Sequence, residues 1–87
     1  MNPTEPSEAL IRVVLRDHAR LKEDAGKLDS NADLYQWGMT SHASVNVMLG
    51  LEGAFGIEFP DHMLNRNVFS SIASIRRALG ELNAVQT

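Results

Sequence analysis

Apolar side chains recur at helical spacing in three stretches of the chain. These stretches cover residues 4–23, 41–55 and 70–83. A shorter helical turn is predicted over residues 61–66, directly after Pro60. The sequence contains no segment in which apolar and polar residues alternate over the length of a β-strand. The pattern therefore predicts an all-α fold, a small four-helix bundle of three main helices plus a short third helix.

The predicted helix ends carry residues that suit them. Thr4 is the predicted N-cap of the first helix, Gly56 the left-handed terminator of the second, and Ser70 or Ser71 the cap of the last. Residues 23–38 mix Gly, Asp, Ser and Asn without periodicity, which predicts a long loop between the first and second helices. Long structureless loops are uncommon in compact domains and are usually functional.

The second helix is rich in apolar residues. We expect its buried stripe to include Val45, Met48, Leu49 and Phe55, widened by Val47 and Leu51, with Phe59, Leu64 and Phe69 following in the chain. Such a stripe is either core or, alternatively, the lining of a tunnel for an acyl chain. Glycines at positions 50 and 53, expected on the exposed side, weaken the helix by about 1 kcal/mol each relative to alanine.

Size and composition indicate one globular domain over residues 1–87. The chain has 44% hydrophobic and 22% charged residues, with only three prolines and six glycines. The absence of cysteine excludes disulfides and thiolate metal sites, and it favours a reducing, cytoplasmic location. We expect a monomer, because the sequence shows no large unpatterned apolar surface.

Charge and hydropathy narrow the choice of partners. The first ten residues contain two acids and two prolines, which is atypical of a signal peptide, and the sequence contains no apolar run of transmembrane length. A net charge of −3 argues against a nucleic acid partner. Residues 34–65 contain no Lys or Arg, so the middle of the molecule is expected to be mildly acidic.

Ser41 and the adjacent His42 raise the question of a hydrolase. Neighbouring residues on a helix point about 100° apart, so His42 is badly placed to activate Ser41. The chain also lacks a G-x-S-x-G elbow around this serine. The three histidines, at separations of 24 and 20 residues, match no metal-site spacing. Neither a catalytic residue nor a metal site is therefore predicted.

Two other roles for this hydroxyl remain. Thr40 or Ser41 can simply cap the second helix, which is what such residues usually do. Alternatively, the long loop ends at an exposed hydroxyl on the positive end of a helix, where N–H groups and the dipole favour an anion. The second role suits a covalently attached phosphate ester.

Residues 33–61 read DLYQWGMTSHASVNVMLGLEGAFGIEFPD and resemble the centre of an acyl or peptidyl carrier protein. Such carriers have an Asp-Leu-aromatic-x-x-Gly-apolar-Asp-Ser-Leu segment before the second helix and a Phe-x-Ile-x-apolar-Pro link after it. The ordered combination is specific, although no single part of it is. The first segment is matched by Asp33, Leu34, Tyr35, Gly38, Met39 and Ser41, and the second by Phe55, Ile57, Phe59 and Pro60.

The resemblance implies that Ser41 receives 4′-phosphopantetheine from coenzyme A through a phosphopantetheinyl transferase. The carrier then holds an acyl or aminoacyl group as a thioester, without catalytic activity of its own. A ligase loads this cargo, and a downstream acyl-accepting enzyme takes it. The residues expected to contact the arm or a partner are Gly38, Met39, Thr40, His42, Val45 and Arg66, with Met39 and His42 exposed beside the serine.

The chain departs from the family pattern in ways that bear on its partners. Thr40 and His42 replace the usual Asp and Leu beside the serine. Ser44, Asn46, Gly50 and Gly53 stand where fatty-acid carriers commonly have acids that meet basic enzyme surfaces. The segment also resembles stand-alone bacterial carriers charged with glycine or alanine by ligases related to seryl-tRNA synthetases.

Two questions are left open by the sequence. The cargo is a fatty acyl, polyketide or aminoacyl group. An interpretation of another class is a helical protein-interaction module that has the same fold and no prosthetic group.

Overall fold

Three α-helices form the frame of the molecule. The computed structural model describes residues 7–86, with side chains through residue 82. The helices are α1 (Glu8–His18), α2 (Ser41–Phe55) and α3 (Ile72–Gln86), and α1 packs against both of the others. The described part of the chain contains no strand, so the fold is all-α, with three α-helices in place of the predicted four.

The predicted short helix over residues 61–66 is a single 3₁₀ turn, Asp61–Met63. The Asn65 side chain ends it by competing for backbone groups on both sides. Its amide nitrogen donates to the carbonyl of His62 at 3.1 Å, and its amide oxygen accepts the N–H of Val68 at 3.1 Å.

The bounds of α1 differ from the predicted residues 4–23. The predicted cap, Thr4, lies outside the described residues; in the structure Ser7 caps α1 by accepting the N–H of Leu10 at 3.2 Å. The helix ends at His18, five residues earlier than predicted.

A tertiary contact explains the early end of α1. Arg20 has a φ of 56°, in the left-handed region, which turns the chain away from the helix axis. The N–H of Lys22 then donates to the carbonyl of Trp37 at 2.8 Å. Residues 21–23 therefore lie beside the far end of the loop and not on the helix.

The loop between α1 and α2 is ordered and belongs to the core. It contains a 3₁₀ turn, Ala25–Lys27. Backbone hydrogen bonds tie the loop to the start of α3, from Leu34 N–H to the Ser70 carbonyl at 2.8 Å and from Ala73 N–H to the Ser30 carbonyl at 2.9 Å. Its buried side chains are Ala25, Leu28, Leu34 and Met39.

Arg12 of α1 holds the middle of the loop. Its Nη1 donates to the carbonyls of Ala25 and Leu28, each at 2.7 Å. Its Nη2 donates to Glu8 Oε1 at 2.8 Å, and Ser30 Oγ donates to the same oxygen at 2.7 Å. The hydrogen bonds from Ser30 and then Arg12 hold the pKa of Glu8 below its ordinary value.

Local signals account for both ends of α2, which has the same bounds as the predicted second helix. Thr40 is the N-cap, because its Oγ1 accepts the N–H of Ala43 at 3.0 Å. Gly56 ends the helix with φ 65° and ψ 37°, a left-handed conformation that favours glycine.

The buried face of α2 agrees only in part with the predicted one, since Val47 and Leu51 are buried and Met48 and Phe55 pack against the core. Ala43, Val47 and Leu51 are buried at intervals of four residues. Val45 and Leu49, predicted to be core, are 51% and 55% exposed. Apolar residues surround most of this helix, so packing against α1 decides which of them point inward.

The two glycines of α2 also differ in their surroundings. A Cβ at Gly50 would lie 2.8 Å from His18 Cδ2 and 3.0 Å from Val14 Cγ1, so Gly50 faces α1 and is not the exposed position that we expected. A methyl group added at Gly53 would meet no other atom within 4 Å, so this position is open to solvent.

The last helix, α3, begins after Ser71. The hydroxyl of Ser71 accepts the N–H of Ser74 at 3.1 Å, which decides between the two predicted caps. The helix runs to Gln86 in place of the predicted end at residue 83. Its fully buried residues are Ile72, Ile75 and Leu79, which lie at the helical spacing that predicted this helix.

Candidate functional site

Ser41 is the first residue of α2 and is exposed. The capping role belongs to Thr40, which leaves the Ser41 hydroxyl outside the cap hydrogen bond. No acidic residue occupies the first turn of α2, so its positive end is not neutralised by a carboxylate there. Together these features place a hydroxyl in water at a helix end that favours an anion.

Ser41 lines an open groove of about 230 Å³. The guanidinium carbon of Arg66 lies 3.8 Å from the centroid of the Tyr35 ring on the groove wall, in a cation–π contact. The lining is otherwise apolar or neutral. It comprises Tyr35, Ser41, Ser44, Val45, Leu64, Asn65, Arg66 and Phe69.

The geometry offers no base to activate Ser41 from within this groove. None of the lining residues is a histidine, aspartate or glutamate. His18 packs against Gly50. Gly50 is nine residues after Ser41 on α2, so the two positions are about 13 Å apart at a rise of 1.5 Å per residue. The arrangement therefore gives no support to a serine hydrolase.

Most of the predicted contact residues lie near Ser41. Val45 and Arg66 line the same groove, and His42 is exposed beside it. Thr40 caps the helix, and Gly38 has a φ of 112°, which a residue with a side chain adopts only under strain.

Met39 is the exception among these residues. We expected it to be exposed beside Ser41, but its side chain is only 2% exposed and belongs to the hydrophobic core. The N–H of Met39 donates to the carbonyl of Leu34 at 3.1 Å, and this turn directs the side chain inward. Met39 therefore supports the site by packing.

Several groove residues were not predicted from the sequence. Tyr35 was identified only as part of the family pattern, and Asn65 was not singled out. Leu64 and Phe69 were expected as core or as tunnel lining, without a position near Ser41. Leu64, Asn65 and Phe69 are separated from Ser41 by more than twenty residues, so only the tertiary fold brings them together with it. The apolar character of Leu64, which is 44% exposed, suited a core position equally well.

Two features of the described residues bear on other classes of function. None of the helices within residues 7–86 has the length and apolar content needed to span a bilayer. In the same part of the chain, no three His, Asp or Glu side chains are grouped so that they could hold a metal ion.

Comparison with known proteins identifies the family. Residues 11–79 match the family described as phosphopantetheine attachment site. An aminoacyl carrier protein from Agrobacterium fabrum strain C58 is 48% identical over 67 residues, which are 77% of this chain and 81% of that protein.

Solved structures of similar sequence have the same fold. One contains an engineered Bradyrhizobium japonicum glycine:carrier protein ligase with a carrier protein from Agrobacterium tumefaciens and AMP; it matches at TM-score 0.82 and 44% identity over 84% of this chain and 97% of that one. A solution structure of an Agrobacterium tumefaciens protein matches at TM-score 0.73 and 40% identity, over 92% and 96% of the two chains. A third structure contains a B. japonicum glycine:carrier protein ligase complexed with glycylated carrier protein. It matches at TM-score 0.69 and 27% identity, over 82% of this chain and 95% of the matched chain. The chain therefore belongs to the phosphopantetheine attachment site family, as a carrier protein whose prosthetic group is 4′-phosphopantetheine.

Proposed function

We propose that Ser41 carries the phosphopantetheine arm and that the cargo is an amino acid, glycine or alanine, held as a thioester. The observation that supports this most directly is that Ser41, the first residue of α2, is exposed and lines a groove. In the modification, a transferase brings coenzyme A to this hydroxyl. The serine oxygen forms the new phosphodiester bond and loses its proton while 3′,5′-ADP leaves.

The residues around Ser41 suit such a group. The amino end of α2 favours the negative charge of the phosphodiester, and the open groove leaves room beside it. The bound arm supplies a terminal thiol to which cargo is attached, and its flexible tether raises the effective concentration of that cargo at a docked enzyme.

Four side chains are proposed to act around the arm. Arg66, held over Tyr35, offers a positive charge at the groove, and Val45 offers an apolar wall. His42, the residue after Ser41, is exposed, and Thr40 caps the helix. The backbone of Gly38 permits the turn that leads into this segment.

The choice of cargo rests on the relatives. The Agrobacterium fabrum relative is an aminoacyl carrier protein, and two of the matched structures contain glycine:carrier protein ligases. The lack of acidic residues along the exposed side of α2 also separates this chain from carriers that meet basic fatty-acid enzymes. An aminoacyl cargo is therefore favoured over a fatty acyl one.

The remaining expectations belong to the same proposal. The partners are a phosphopantetheinyl transferase, an aminoacyl ligase and a downstream enzyme that accepts the cargo. The protein acts as a cytoplasmic monomer of one carrier domain over residues 1–87. It catalyses no reaction itself and binds neither nucleic acid nor membrane.

Intact mass after incubation with coenzyme A and a broad-specificity transferase tests the attachment site. We expect one phosphopantetheinyl group on the wild-type protein and none on Ser41→Ala. Ser44→Ala is the matched control, since Ser44 is one turn along α2 and lines the same groove. Modification of Ser41→Ala would refute the assignment, and an unmodified wild-type protein would favour the interaction module.

The cargo is tested on the modified protein. It is incubated with ATP and either a glycine:carrier protein ligase with glycine or alanine, or a fatty-acyl ligase with a fatty acid, and is then weighed. A glycyl or alanyl thioester that hydroxylamine removes supports the proposal. Loading only by fatty-acyl ligases would instead assign a fatty-acid carrier.

A further inference from the structure

Ser41 shares its groove with other side chains that carry polar groups. These are Tyr35, Ser44, Asn65 and Arg66. Two of them are engaged with the backbone nearby. The Ser44 hydroxyl donates its proton to the carbonyl of Ser41 at 2.7 Å. The Asn65 amide bonds the carbonyl of His62 and the N–H of Val68, each at 3.1 Å. Both side chains therefore serve the local backbone fold.

Arg66 differs from these two because its donors are not engaged in this way. It is the one charged residue among those that line the groove. Its guanidinium carbon lies 3.8 Å from the centroid of the Tyr35 ring, so the cation lies over the face of the ring. A guanidinium in this position keeps N–H donors at its edge for an acceptor. Both ion pairs that the described residues form use Glu8, so Arg66 has no carboxylate partner in that part of the chain.

Building on the proposed function, we infer that Arg66 binds the phosphodiester that joins the arm to Ser41, and that Tyr35 holds the guanidinium in place for it. Arg66 and Ser41 line the same groove, and modification adds an anion there, for which guanidinium is a preferred partner. The first turn of α2 contains no carboxylate that would compete for Arg66. The contact restrains the arm at its root and leaves the thiol end free to reach an enzyme.

This contact links modification to the stability of the fold. It is made only when the protein is folded, so it makes the modified protein more resistant to urea than the unmodified one. Arg66 is exposed, and salt therefore screens its attraction to the phosphodiester. A stability gain on modification and a dependence on salt are the two signatures of the contact.

The first test observes the phosphorus directly, by NMR of modified wild-type protein and modified Arg66→Gln. We expect a broader line at a different chemical shift in the wild-type protein, because the guanidinium restrains and polarises the phosphodiester. Raising NaCl from about 0.1 M to about 1 M is expected to move the wild-type signal towards that of the variant, since the Debye length falls from about 10 to about 3 Å. Identical signals at low salt would overturn the inference.

The second test measures how far modification raises the urea midpoint of each protein. The gain is expected to fall by at least about half in Arg66→Gln and in Tyr35→Leu, and to persist in Tyr35→Phe, whose ring still holds the guanidinium. Arg77→Gln is the matched control, since Arg77 is an exposed arginine of α3 that lines a different groove. A purely structural role of Arg66 would shift both forms of the protein equally. An equal gain in wild type and Arg66→Gln would therefore contradict the contact.

The two proposals fail in different ways. Intact mass, taken before these measurements, shows whether Ser41 is modified, and an unmodified wild-type protein would refute the proposed function. A modified protein whose phosphorus signal ignores Arg66 would keep the attachment and refute the binding role. The salt series on wild type needs no variant, so a signal that salt leaves unchanged decides against Arg66 even if a substitution prevents modification.

Discussion

At the residue scale, Met39 and Ser41 show how sharply surroundings change within a few positions. Met39 is 2% exposed in the core, whereas Ser41 stands exposed at the start of α2. Thr40 lies between them and directs the change, because its side chain caps the helix. A residue close in sequence to the proposed attachment site is therefore not necessarily part of the exposed surface around it.

Substituting Met39 tests this separation of roles. Met39→Ala is expected to lower the free energy of unfolding by about 2–5 kcal/mol, because it leaves a cavity in the core. Met39→Leu, which nearly conserves volume, should cost about 1 kcal/mol or less. Urea unfolding measures both. If Met39→Ala unfolded like wild type but was modified at Ser41 more slowly, Met39 would instead be a contact residue.

The two glycines of α2 supply a matched pair. Gly53→Ala is expected to stabilise the protein by about 1 kcal/mol, since alanine has the higher helix propensity and the added methyl group meets open space. Gly50→Ala gains the same propensity but crowds Val14 and His18, so we expect a net loss of about 1 kcal/mol. Urea unfolding of the two variants compares them, and equal stabilisation would contradict the close packing of α1 on α2.

At the element scale, the loop between α1 and α2 behaves as a fourth packed segment. Arg12 satisfies two loop carbonyls, and Glu8 joins α1 to Ser30. Length and composition predicted a loop here and a functional reason for its length. They did not predict that its apolar residues belong to the core, because these are scattered without any period.

The Glu8 carboxylate makes this attachment dependent on pH. Its pKa is lowered in the folded protein, so its contribution to stability is complete above the ordinary glutamate pKa of about 4.3 and is lost as the pH falls through the lowered value. Glu8→Gln is therefore expected to be less stable than wild type at neutral pH, with the difference shrinking in acid. Urea unfolding at several pH values measures this. A difference that stays constant down to the acid limit would show that Glu8 does not titrate as described.

At the scale of the whole molecule, helices and loop share one hydrophobic cluster. Leu34 of the loop is fully buried, as are Ile11 of α1 and Leu79 of α3. We expect the domain to unfold as one cooperative unit, because no element can leave without exposing this cluster.

Trp37 allows a direct measurement. It is the only tryptophan and lies in the loop, so its fluorescence reports the loop while circular dichroism reports the helices. The two urea transitions are expected to have the same midpoint. A fluorescence transition at lower urea would mean that the loop detaches before the helices unfold.

The sequence by itself determined the helical class, both ends of α2 and the ordered motif around Ser41 that points to a phosphopantetheine carrier. These features depend on near neighbours in the chain, since caps, glycine terminators and helical period act over a few residues. The predicted first helix is longer than α1, and the predicted short third helix is a single 3₁₀ turn, because distant contacts and the Asn65 side chain end those segments.

Only the tertiary structure decided which side of α2 is buried, where Met39 points and which residues form the groove beside Ser41. The physical reason is that α2 is apolar around most of its circumference, so no pattern within it distinguishes an inward from an outward face. The packing of α1 and the loop makes that choice. The same packing leaves Val45 and Leu49 exposed to solvent on the helix that begins at Ser41.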